Sequence, residues 1–65
     1  MNEWIKQGVG HFYARRFDES LKDFSLALSI DPSSKEARIG ALLSDMAIEN
    51  EEQAVALFEY YLLTK

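Results

Sequence analysis

The side chains that could do chemistry are few in this sequence, and their spacing argues against catalysis. His11 is the single histidine and there is no cysteine. A histidine serves as a base only beside a nucleophile, or as a ligand only beside further ligands; neither is set near it, so His11 reads as a packed side chain. Ser20 lies on a packing face with no base placed to serve it. Glu49, Glu51 and Glu52 lack the carbonyl-rich loop or Asp-x-Asp spacing that a hard cation needs, and read as a helix start with a solvated face. Gly8 and Gly10 spell G-x-G, but within a helical stretch and with no strand before them, so they form no phosphate loop. No nucleophile–base constellation can be assembled. The expectation is a non-enzymatic chain without cofactor or metal.

Charge narrows the partners. A formal net charge of −4 opposes nucleic acid, whose binding is driven by clustered cations. The only basic pair is Arg15-Arg16, which reads as a solvated loop or helix end. No apolar run approaches the ~20 residues of a membrane span, and no basic segment followed by an apolar stretch opens the chain. A cytoplasmic location and a protein partner are the expectations.

The elements that must position these residues are helical. With 65 residues, 48% of them apolar, one domain spanning 1–65 is the limit, and its small core needs help from packing or association. Four helical stretches follow from the spacing of apolar residues. The first runs from about Glu3 to Ala14, with Trp4, Ile5, Val9 and Phe12 apolar. The second runs from about Asp18 to Ile30, with Leu21, Phe24, Ala27 and Leu28 in one stripe. Asp31-Pro32 ends it, because proline disfavours helical geometry in the residue before it. Ser33 with Glu36 reads as a capping box for the third, which continues to about Ile48. Asn50 with Gln53 is a candidate cap for the fourth, with Glu51 and Glu52 favoured in its first turn by the helix dipole. Links this short predict antiparallel neighbours and an all-α fold.

The chain also resembles itself. At an offset of 34 residues, Ser20 falls on Ala54, Leu21 on Val55, Phe24 on Phe58 and Leu28 on Leu62, while Ile5 falls on Ile39, Val9 on Leu43 and Phe12 on Met46. A helix-turn-helix unit of this length is the tetratricopeptide period. Trp4, Gly8, Phe17, Ser20, Phe24, Ala27 and Pro32 give the first unit its resemblance to that family. The second unit keeps Ala54 and Phe58 and departs at Arg38, Leu42 and Tyr61.

The resemblance implies two antiparallel helix-turn-helix hairpins, repeat 1 at about 1–34 and repeat 2 at about 35–65, stacked as a short right-handed solenoid that binds a protein or peptide. It places a concave groove at Ile5, Val9, Phe12, Tyr13, Ile39, Leu43 and Met46, apolar enough to receive an amphipathic helix. The Lys and Asn of a carboxylate clamp are replaced here by Ile5, Val9 and Gly40, so chaperone C-terminal tails are not expected partners. The same stripe could instead pack on itself or on a second copy. The fourth helix is apolar on several sides, which requires burial on several sides. Leu57, Tyr60, Tyr61 and Leu63 are therefore a candidate self-association face, giving a homodimer, unless the chain is cut from a longer repeat array.

Overall fold

The computed structural model describes residues 3–63. It is all-α, with α1 at Glu3–Tyr13, α2 at Phe17–Ile30, α3 at Lys35–Glu49 and α4 at Glu51–Leu63. Among the described residues no helix is long and apolar enough to cross a membrane.

Each boundary has a local cause. At the end of α1, Arg15 takes a left-handed φ of 66°. Its N–H donates to the Phe12 carbonyl at 3.1 Å, and that of Arg16 to the His11 carbonyl at 2.9 Å. These two bonds are a Schellman closure, built on an arginine where glycine is usual. The cap of α3 differs from the sequence reading. Ser34 is the N-cap, its hydroxyl accepting from the Ala37 N–H at 3.2 Å. Ser33 instead bonds Asp31 Oδ1 through its N–H and its hydroxyl. That Asx-type turn consumes Ser33 and moves the cap by one residue. Asn50 does cap α4: its Oδ1 accepts from the Gln53 N–H at 3.4 Å and its amide donates to Gln53 Oε1 at 3.1 Å.

The helices pack around Phe24. α2 lies against both α1 and α3, α3 against α4, and α1 more lightly against α3. The ring of Phe24 is fully buried between two glycines on different helices. A Cβ on Gly8 of α1 would fall 2.9 Å from the ring, and one on Gly40 of α3 would fall 2.4 Å from it. No side chain larger than hydrogen fits either position without movement. Among the described residues the α4 backbone approaches only α3, but Phe58 reaches across and stacks on Phe12 of α1, centroids 3.9 Å apart and planes at 10°. Phe17 meets Phe12 edge-on at 5.1 Å and Phe24 lies 6.2 Å from Phe58. One aromatic cluster therefore links α1, α2 and α4. Fully burying each such ring stabilises the fold by about 1.5–3 kcal/mol.

The 34-residue offset survives in one layer and fails in the other. Ser20 and Ala54 are both fully buried, as are Phe24 and Phe58. Gly8, however, is buried under Phe24 while its counterpart Leu42 is 65% exposed. The links and the packing both differ between the hairpins. Three residues, 14–16, separate α1 from α2, whereas Asn50 alone separates α3 from α4. α3 packs against both α2 and α4 whereas α1 packs mainly on α2, and the inward face of α3 carries Gly40 onto Phe24 and leaves Leu42 outside.

The glycines give the first test. Gly40→Ala is expected to destabilise the fold by about 1–3 kcal/mol through overpacking. Gly10, also helical but with nothing within 4 Å of its added Cβ, should gain roughly 0.5–1 kcal/mol on the same change. Urea denaturation checks both; equal responses at Gly10 and Gly40 would show that Phe24 does not seat on Gly40.

Candidate interaction surface

The polar residues with chemical potential are turned to holding helices together. Ser20 is fully buried. Its hydroxyl donates to the Gly8 carbonyl at 2.8 Å, and Ser44 Oγ lies 2.9 Å away. With its one proton spent on Gly8, Ser20 must accept from Ser44. A chain of two hydroxyls thus joins α1, α2 and α3 beside the Phe24 ring. His11 Nδ1 lies 2.6 Å from Asp23 Oδ2, the carboxylate largely buried and the imidazole about a third exposed. This pair ties α1 to α2. The sequence reading placed His11 as a packed side chain and did not find Asp23, a carboxylate buried on the α1-facing side of α2. The signal available was its position three residues after Ser20, on the same helical face.

Both arginines of the basic pair face carboxylates. Arg15 Nε lies 2.8 Å from Glu51 Oε2, joining the first turn to the start of α4, and Arg16 reaches Glu19 at 3.3 Å. Arg15, Glu51, Glu52 and Val55 line an open depression there. Each of these exposed pairs is worth at most about 1 kcal/mol.

The seven groove candidates separate into three groups. Ile5, Phe12 and Leu43 are buried in the core, Val9 and Ile39 are half-buried against it, and Tyr13 and Met46 are exposed. The buried members pack within the chain, so the surface left to a partner is narrower than the seven residues. Of the self-association candidates, Leu57 is half-buried while Tyr60 and Tyr61 are exposed, their rings edge to face at 5.2 Å. Leu63 closes α4, and its side chain lies outside the described residues.

Helix geometry orients the α3 and α4 members of both sets. On α3, Ser44 marks the side facing α2; Ile39 and Met46 lie roughly 140–160° around the helix from it. On α4, Val55 marks the side facing the Arg15 turn; Leu57 and Tyr60 lie roughly 140–160° from that. The single-residue link makes α3 and α4 antiparallel and sets Ile39 level with Tyr61 and Leu43 level with Leu57. Leu42 and Met46 on one helix and Tyr60 on the other therefore turn away from α2 and from the Arg15 turn, with Ile39 and Leu57 half-buried beside them.

No protein-family model, curated protein or solved structure matches this chain.

Tyr13 closes α1, with its ring edge-on to Phe58 at 5.6 Å. Its phenol is pushed above the ordinary 10.0 by partial burial and, secondarily, by the Glu59 charge. The neutral form is thus favoured in the fold. Its contribution is fully present below the ordinary tyrosine range and is lost as pH rises through the elevated folded value. In a background with Tyr60→Phe and Tyr61→Phe, spectrophotometric titration should show Glu59→Gln moving Tyr13 ionisation downward without bringing it back to the unperturbed value. An unmoved titration would exclude Glu59 as a neighbour of that hydroxyl.

Proposed function

We propose that this chain is a non-enzymatic protein-interaction module that holds an amphipathic helix against the outer side of its second hairpin. One observation carries the reading. Of the eight large apolar side chains exposed among the described residues, five (Leu42, Met46, Ile48, Tyr60 and Tyr61) belong to α3 and α4, and three (Tyr13, Leu26 and Ile30) to α1 and α2. Leu42, Met46, Tyr60 and Tyr61 stand with half-buried Ile39 and Leu57 on two helices packed side by side, which supports the form that helix-in-groove recognition takes. Apolar patches rimmed by charge mark protein contacts on small domains. The order of packing, with each helix against its chain neighbour and the first against the third, supports a repeat-like stack of the tetratricopeptide kind. The fully buried Ser20 hydroxyl and the His11–Asp23 pair are committed to joining helices, which supports the non-enzymatic part.

The test is selection from a displayed library of helical peptides. Amphipathic sequences should be enriched, and Met46→Glu should reduce their binding at least tenfold with helicity unchanged, since a charge would be buried at the contact. Failure to enrich any amphipathic sequence, or equal binding by the variant, would contradict the reading.

A further inference from the structure

The outward face of α3 carries a charge order that selects its occupant. Lys35, Arg38, Leu42, Asp45 and Glu49 are all exposed and recur at spacings of three, four, three and four residues, so they form one stripe along the helix. The stripe is basic in its first half, acidic in its second, and apolar at its centre, where Leu42 is 65% exposed. Among the described residues none of the four charges forms an ion pair within the chain; Arg38 makes only a 3.4 Å bond to the Pro32 carbonyl.

A stripe of this polarity is complementary to its own reverse. In a two-fold antiparallel pairing centred on Leu42, Lys35 comes level with Glu49 of a second copy, and Arg38 with its Met46 and beside its Asp45. Leu42 meets Leu42 on the axis. The long stem of Arg38 then covers the exposed Met46, while both ends of the stripe gain opposite charges. A parallel pairing would instead set like charges together along the whole helix. Isologous contacts of this kind are the commonest way for identical chains to associate.

We infer that the helix this module takes against its second hairpin is the charged outer face of α3 from a second copy, paired antiparallel about Leu42. The inference rests on the reading of the second hairpin as the interaction surface and names its partner. A single helix pair lies at the small end of specific interfaces, below about 1,200 Å², so association is weak, salt-sensitive and visible only at high concentration.

Solution mass in low salt, followed by light scattering up to about 1 mM, at which a millimolar complex is half formed, tests it. The full chain should rise from 7.5 kDa toward twice that mass. Lys35→Glu with Arg38→Glu makes the stripe wholly acidic, and Asp45→Lys with Glu49→Lys makes it wholly basic. Each double variant alone should stay monomeric, and an equimolar mixture of the two should recover the doubled mass. The changes at both helix ends agree with the α3 dipole, so helicity by circular dichroism should persist. A wild-type chain monomeric throughout, a double variant that dimerises as the wild type does, or a mixture that stays monomeric would overturn the inference. If peptide selection succeeds while self-association fails, the surface takes a different chain; if both fail, the interaction reading itself falls.

Discussion

Everything in this fold depends on how closely three helices approach around one ring. Phe24 stands on α2 and needs the absent side chains of Gly8 and Gly40 to lie between α1 and α3. That approach also makes the polar contacts possible. Ser20, one turn before Phe24, reaches the Gly8 carbonyl and Ser44 only because the backbones are this near. In a dry core an unpaired hydroxyl costs about 1–3 kcal/mol, so the serines and the ring must be accommodated together. Among the described residues no buried side-chain polar atom lacks a partner. α4 joins through Phe58, whose ring continues the cluster onto Phe12.

Fixing α3 in this way also decides which of its residues face outward. Gly40, Leu43, Ser44 and Ala47 turn inward, so Leu42 is carried to the far side even though the repeat offset equates it with buried Gly8. The apolar flank and the ordered charges of α3 are thus consequences of the same packing, and the proposed interaction face is inseparable from the Phe24 seat. Arg15 adds a restraint between the two hairpins. It holds a left-handed turn that glycine would adopt without strain, and its guanidinium reaches Glu51 across to α4, a contact glycine could not make.

Much of the architecture was legible in the sequence because helical period and capping are local properties. Of the stripe Leu21, Phe24, Ala27 and Leu28, the structure buries Phe24 and Ala27 and leaves the two leucines half-buried, while the stop at Asp31-Pro32 and the Asn50–Gln53 cap appear at their own residues. What could not be read locally was rotation. A repeat offset assumes that α1 and α3 present equal faces, but α3 packs against both α2 and α4 whereas α1 packs mainly on α2. Ser33 was displaced as a cap by Asp31, a competition between neighbouring side chains that the pattern alone left open. Of the seven groove residues, the structure buries Ile5, Phe12 and Leu43 in the core, leaving Met46 to share the exposed flank with Leu42 and Tyr60.

Residue-resolved amide hydrogen exchange under native conditions tests most directly whether one ring organises the molecule. Opening free energies rank segments by how strongly tertiary packing holds them. The slowest amides are expected in α2 and α3 on either side of Phe24, with those of α4 exchanging earlier through openings that leave the first three helices closed. Protection highest in α4, or uniform across the four helices, would contradict the central place given to Phe24 and its two glycines.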